Sequence, residues 1–260
     1  SAAAIMTMST TAFAAENPAE VFDRVMEKNN TIQSAEIQSG VHSVILAKDV
    51  IPDGQMKVDM AMHAEMDMQD TTDLKYLAQI ASSILGQDSY SQVFYTDGYY
   101  YVDTNGVKLK YPMPLEQIIS SVQTGVNTSN MESSYMKGIS LNEVNGKRVL
   151  AYEANPKKLN KNVKEALGTV MNTLGTDVNL DMNIQEMKGA YVLDDNDYII
   201  YMTNYIVYNM EVLDQPMTCI TLMETEVQNP GEPVVVTLPS TDGYEDLIGL
   251  YDGVIESEVE

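Results

Sequence analysis

Two thioether pairs, Met60-x-Met62 and Met66-x-Met68, lie inside one unbroken alternation of the chain. Met56, Val58, Met60, Met62, Ala64, Met66 and Met68 take one parity, and Lys57, Asp59, Ala61, His63, Glu65 and Asp67 the other. Successive side chains of a strand point to opposite faces, so the pattern predicts a long strand with a sulfur-rich apolar face and a charged face. Soft sulfur ligands select Cu(I). Same-face residues on a strand stand about 7 Å apart at the backbone, within reach of flexible Met side chains converging on one ion. Met is also unbranched and polarizable, which suits a surface that repacks around a variable apolar guest. A plain core beneath helices accounts for the same residues.

The remaining chemistry-bearing types are few. The chain has two His, His42 and His63, and a single Cys, Cys219. Any Ser-His-Asp or Cys-His constellation must use one of these His residues, and both fall inside predicted strands rather than on loops at a site mouth. No Gly-x-Ser-x-Gly elbow and no Gly-rich phosphate loop occurs. Carboxylates are abundant, but nothing in their spacing marks one acid/base pair, and the chain has no Trp to form a sugar platform. These features point to binding rather than catalysis, with no catalytic residue, no cofactor and no metal site assigned. His42 and His63 fall on the charged faces of adjacent strands, away from the Met pairs, so the two ligand types cannot share an ion. The acidic turn Asp194-Asp195-Asn196-Asp197 lacks EF-hand spacing and reads as a tight hairpin turn.

With 38 acidic residues against 15 basic ones, the formal net charge is −23. Such a surface repels phosphate backbones and anionic headgroups, which disfavours nucleic acid and anionic membranes as partners. One Cys excludes a disulfide framework within the chain. Residues 1–14 read as the remnant of a secretory signal, with the small-x-small site Ala12-Phe13-Ala14 and cleavage near Ala14. An extracytoplasmic location follows from that reading. No other stretch reaches the roughly 18 apolar residues of a membrane span.

These residues need elements to position them. Asn17-Pro18-Ala19-Glu20 is a helix start, with Asn as N-cap, Pro pre-set for the first helical position and Glu available to the cap. Val21, Phe22, Val25 and Met26 then form its apolar stripe. A strand over about 35–47 pairs with the Met strand through a turn at Ile51-Pro52-Asp53-Gly54. A turn centred on Pro52-Asp53 sets Ile37, Ser39, Val41, Ser43 and Ile45 beside the Met face, and His42 opposite His63. Helices are predicted over 73–85, 114–122 and 156–174. Strands are predicted over 90–96, 99–103, 107–111, 134–143, 147–154, 180–193, 198–213, 217–227 and 234–238. Asp97-Gly98, Asn105-Gly106 and Asn145-Gly146 supply two-residue turns. Long strands with one apolar face and helices with one apolar stripe must cover each other. Tyr clusters at 95–101 and 198–208 read as half-buried sheet residues.

The leading helix, the hairpin over 35–68, the segment Tyr95-Thr96-Asp97-Gly98-Tyr99-Tyr100-Tyr101-Val102 through Gly106-Val107-Lys108-Leu109-Lys110, and the closing run Gly231–Pro239 together resemble the LolA/LppX-like lipoprotein-carrier fold. More closely, they resemble an uncharacterised Firmicutes extracytoplasmic family related to it. The resemblance implies an open half-barrel with a hydrophobic cavity between sheet and helices, which holds acyl chains in the carrier members. Many Firmicutes relatives are lipid-anchored through a Cys at the cleavage site, which this sequence lacks at Ala14–Ala15.

The expected fold is therefore α+β, a curved antiparallel sheet of about 10–11 strands with helices on its concave face. The expected organisation is the leader 1–14, a carrier-like domain over 15–239 and an acidic C-terminal tail over 240–260. The expected function is non-enzymatic binding of a lipid or other hydrophobic small molecule by a monomer. Ile37, Val41, Ile45, Met56, Met60, Met62, Met66 and Met68 would line the cavity, and an envelope protein is a second candidate partner. The alternatives are a structural or protein-interaction module with a filled core and, third, a Cu(I)-binding protein using the Met-x-Met pairs.

Overall fold

A computed structural model describes residues 16–47, 51–70, 74–115, 117, 131–161, 182–212 and 215–247. Among these, one helix, α1 (Pro18–Asn29), precedes twelve strands. They are β1 (Ser34–Leu46), β2 (Gln55–Asp67), β3 (Lys75–Ile84), β4 (Gln87–Thr96), β5 (Tyr99–Thr104), β6 (Val107–Pro112), β7 (Met136–Val144), β8 (Lys147–Ala154), β9 (Asn183–Leu193), β10 (Ile199–Val212), β11 (Gln215–Gln228) and β12 (Glu245–Asp246). Their order in the sheet is β12-β6-β5-β4-β3-β2-β1-β11-β10-β9-β8-β7, an open order that does not close on itself. A helical turn at 156–161 begins the predicted helix 156–174, whose remainder lies outside the described residues. The predicted helix 114–122 shows helical Leu115 and Gln117 and otherwise lies outside them, as does the leader 1–14.

The chain divides into two compact units. The first comprises α1, the facing ends of β1 and β2 (Gly40–Asp59) and β7 to β11 up to Glu226. Its core is the predicted stripe of α1, Val21, Phe22, Val25 and Met26, packed with Leu150, Tyr152, Tyr191, Leu193 and Met202. Phe22 meets Tyr152 edge-on at 5.8 Å, and Tyr152 stacks on Tyr191 at 5.2 Å. The cap forms as the sequence predicts, with Asn17 Oδ1 accepting the Ala19 N–H at 3.1 Å and Asn17 Nδ2 donating to Glu20 Oε1 at 3.2 Å. Polar side chains fasten α1 to its unit. Asp23 accepts from the backbone and hydroxyl of Ser133, and Asn29 Oδ1 accepts the Ile199 N–H.

The second unit comprises Asn30–Ser39, Met60–Ser129 and the segment from Val227 onward. Phe94 and Tyr101 stack at 4.6 Å, and Tyr244 meets both edge-on at 5.6 and 5.1 Å. Glu245 and Asp246 pair in parallel with Leu109 and Lys110 of β6, so the start of the acidic C-terminal segment is docked. The run Val234–Leu238 forms no ladder. Gly231 N–H donates to the Ser34 carbonyl and Val234 N–H to the Ser34 hydroxyl, which is fully buried.

The segment over 73–85 overturns the helix expected there, because Lys75–Ile84 is a strand. The expected helical stripe Leu74, Leu77, Ala78, Ala81, Ile84 and Leu85 leaves Tyr76 and Ile80 on its polar side. In the strand, Tyr76 faces Tyr95, and Leu77 faces Phe94. Gly86 is no helix stop. It closes a two-residue turn with Leu85, at φ of 77° and 53°, that joins Ile84 to Gln87. A short apolar run fits either period, and the ladder with β4 decides this one.

Candidate functional site

The β1–β2 hairpin forms, with a register different from the one expected. Ala47 N–H donates to the Gly54 carbonyl at one end, and Met68 N–H to the Gln33 carbonyl at the other. A turn centred on Pro52-Asp53 would instead set Ala47 against Val58. The displacement arises because the connection is not a two-residue turn. Ile51 N–H donates to Ala47, Gly54 N–H to Ile51, and Pro52–Gly54 form a single 3-10 turn with Asp53 at φ 64°. The shift along β2 is an even number of residues, so the division into faces survives. Counting from these bonds, Ile45 lies opposite Met56 within the first unit and Ile37 opposite Ala64 within the second.

The shift undoes the expected His pair. His42 Nδ1 is 2.7 Å from Asp59 Oδ1, and His63 Nε2 is 3.0 Å from Glu36 Oε1. Each His has its own carboxylate, and the two do not face each other. Among the described residues, no three His, Cys, Asp or Glu side chains gather as a metal site.

On the apolar face, burial varies along the hairpin. Met66 is 1% exposed, and Met68, Ala64 and Ile37 are also buried. Val41, Ile45, Met56 and Met62 are half-buried, and Met60 is 38% exposed. The end of the Met strand near Met68 is therefore core, while its middle and opposite end are only partly covered. All eight predicted lining residues lie on this one face, as the alternation requires.

Within the first unit, the face continues onto β11. Ser43 Oγ and Thr221 Oγ1 are 2.9 Å apart across β1 and β11, so Thr221 shares the face of Val41 and Ile45. Met217, Cys219, Thr221 and Met223 alternate along it, opposite Met210, Tyr208, Ile206 and Asn204 of β10. Cys219 Sγ stands 3.8 Å from Met210 Sδ. These sulfur residues are not among the eight predicted from the sequence. Their signal was the same period-2 spacing as the Met strand, here interrupted by Thr and Cys. Cys219 and Asn204 are buried on it, while Met187, Ile206 and Tyr208 are only partly covered.

In the acidic turn after β9, Asp194 and Asp197 are engaged within the protein. Asp194 Oδ1 accepts the N–H groups of Asn196 and Tyr198. Asp197 accepts from Arg24 Nε at 2.8 Å and Arg148 Nη2 at 2.6 Å. Burial alone would raise the Asp197 pKa, but the hydrogen bonds from Arg24 and Arg148 outweigh it and hold the carboxyl below its usual range. The Tyr201 phenol is pushed up to about 12 by burial and by its hydrogen bond to Glu224 Oε1. It therefore stays protonated at neutral pH.

The described residues form an α+β protein with an open order of twelve strands and a sulfur-rich apolar face that is only partly covered. The chain belongs to a family of unknown function, DUF6612, which it matches over residues 17–239. No curated protein matches. Among solved structures, LprF from Mycobacterium bovis is similar at 10% identity with a TM-score of 0.38, covering 86% of this chain and 97% of that one. The Mycobacterium tuberculosis lipoprotein LppX is similar at 9% identity and a TM-score of 0.37, covering 85% and 100%. A β-barrel-like protein of the domain of unknown function DUF1849 from Brucella abortus follows at 11% identity and a TM-score of 0.25, covering 76% and 100%. Among the described residues, no helix is long and apolar enough to cross a membrane.

Proposed function

We propose that this protein is an extracytoplasmic, non-enzymatic binding protein that holds a lipid or acyl chain against the apolar face of the β1–β2 hairpin. The observation that carries it is the partial cover of the face. Met56, Met60, Met62, Val41 and Ile45 are all apolar, yet none is fully buried. A filled core would have taken them below solvent reach, as it takes Met66 and Met68. An acyl chain laid along the face gains about 0.8 kcal/mol per CH₂ removed from water. Eight carbons then suffice for several kcal/mol without a polar anchor. Flexible Met side chains tolerate guests of differing length.

The test is a titration of the purified protein with a fluorescent fatty acid. Saturable binding that is lost in Met60→Asp and Met62→Asp, and retained in Met60→Leu, is the expected result. Equal binding by the Asp variants, or none by the wild-type chain, would overturn the proposal. The burial of Ile37, Met66 and Met68 favours a second reading, a packed structural or protein-interaction module, in which the wild-type chain takes up no probe.

A further inference from the structure

Three sulfur side chains meet near the end where β10 passes into β11. Among the described residues, none of them belongs to the core packed under α1. Met210 and Met217 are direct cross-strand partners, and Cys219 faces Tyr208, two residues back along β10 from Met210. Residues two apart on a strand share a face, so Met210, Met217 and Cys219 stand on one side of this strand pair. Diagonal neighbours across an antiparallel pair are about 7–8 Å apart at the backbone. Cys219 Sγ and Met210 Sδ are nevertheless 3.8 Å apart, so their side chains converge. Met217 opposes Met210 directly, where Cβ atoms lie about 4.5–5.5 Å apart. Its unbranched, freely rotating side chain can turn the thioether to the same point.

The separation suits a shared metal ion. Two sulfurs held about 2.3 Å from one ion lie about 3.8–4.0 Å apart at tetrahedral to trigonal angles. A thiolate with two thioethers is a soft donor set without imidazole or carboxylate, and such sets select Cu(I). Charge points the same way. Cys219 is 2% exposed, and an unpaired charge at that depth is costly. One thiolate cancels the charge of a monovalent ion, whereas a divalent ion would leave a buried net positive charge. Met210 and Met217 are half-buried, so an incoming ion meets the thioethers before the thiolate. Burial, and then a hydrogen bond with Cys219, raise the Tyr208 pKa. The Tyr208 hydroxyl therefore keeps its proton and donates to the sulfur, the kind of outer contact that orients a metal ligand.

We propose that Met210, Met217 and Cys219 form a Cu(I) site, in which the Cys219 thiolate is the anionic ligand and the two thioethers complete a three-sulfur set. Binding breaks the Cys219 S–H bond and forms a Cu–S bond. The proton leaves to solvent, and copper keeps its oxidation state. The site is distinct from the Met60-x-Met62 and Met66-x-Met68 pairs of β2, which have no thiolate. It does not depend on the acyl-binding reading, since its residues lie on β10 and β11.

The experiment is anaerobic titration of the full chain with Cu(I) against the chromophoric chelator bicinchoninate, followed by X-ray absorption at the copper edge. Wild-type protein is expected to take one Cu(I) per chain, with sulfur neighbours at about 2.3 Å. Cys219→Ser should abolish the uptake. Met210→Leu and Met217→Leu should each weaken it by roughly tenfold. Both Leu changes nearly conserve volume and leave the melting temperature close to wild type, so they decide the matter even if Cys219→Ser fails to fold. The Met60→Leu, Met62→Leu variant should bind as wild type does. The proposal is overturned if wild type takes no Cu(I) from the chelator, or if Cys219→Ser binds undiminished. It is also overturned if Met210→Leu combined with Met217→Leu binds as tightly as wild type, which would leave a bare thiol. Loss of binding in the Met60→Leu, Met62→Leu variant would overturn it too, by placing the ion on β2.

Discussion

Replacing Met66 and Met60 one at a time with Ala separates core from binding surface on a single strand. Both residues lie on the same face of β2 and in the same compact unit, so one unfolding transition reports both. Met66 is 1% exposed, with Ala64 and Met68 buried on either side. Truncating a buried Met to Ala costs about 2–5 kcal/mol through lost transfer energy and the cavity left behind. Met60 keeps more than a third of its surface in water. At about 0.8 kcal/mol per fully buried methylene, and with no sealed cavity formed, its truncation costs about 1 kcal/mol. The assay is equilibrium urea denaturation followed by circular dichroism. With a slope of about 1–3 kcal/mol per molar urea, Met66→Ala lowers the midpoint by roughly 1–3 M and Met60→Ala by a few tenths. In fatty-acid titration the order reverses, and Met60→Ala is the more damaging change per unit of stability lost. Equal stability losses would refute the division of the face into a filled and an open part.

Three further outcomes follow from the same contacts. Asp197→Asn should cost about 1–3 kcal/mol, because two charge-assisted hydrogen bonds from Arg24 and Arg148 are weakened. Since the folded Asp197 pKa is depressed, its contribution is complete above the unfolded carboxyl range near about 3.9 and is lost as pH falls through the lower folded value. The wild-type urea midpoint should therefore fall further on acidification below pH of about 4 than that of Asp197→Asn. Gly189→Ala should destabilise by about 1–3 kcal/mol or more, seen as a lowered melting temperature, because a Cβ there collides with the Thr203 carbonyl and the Asn204 side chain. A Cu(I) competition titration should give the same result for wild type and for the Met60→Leu, Met62→Leu variant, since Leu keeps the apolar face and removes the thioethers. Loss of a tight Cu(I) site in that variant would establish the metal reading instead.

Much of the fold was legible because the patterns were long. Thirteen residues of strict alternation in β2 admit only a strand, and Asn17-Pro18 with Glu20 marks the start of α1 unambiguously. Asp97-Gly98, Asn105-Gly106 and Asn145-Gly146 announce their turns because Asn, Asp and Gly relieve the left-handed backbone. Leu85-Gly86 carried half of that signal, and its Leu concealed the hairpin that makes β3 a strand. The hairpin register escaped because it depends on how the backbone folds between Ala47 and Gly54, which residue types alone do not fix. The shared parity of the eight residues expected to line a cavity was legible, since parity is local information. Their graded burial was not, because it depends on which distant elements cover each end. Likewise, the continuation through Met217, Cys219 and Met223 required knowing that β11 lies beside β1.

Native mass spectrometry of the full chain, purified without detergent, tests the central proposal most directly. The acyl-binding reading predicts an adduct of lipid mass that collisional activation removes and that Met60→Asp lacks. A clean apo mass, unchanged after incubation with fatty acids and phospholipids, would contradict it and leave the Met face as a packed wall.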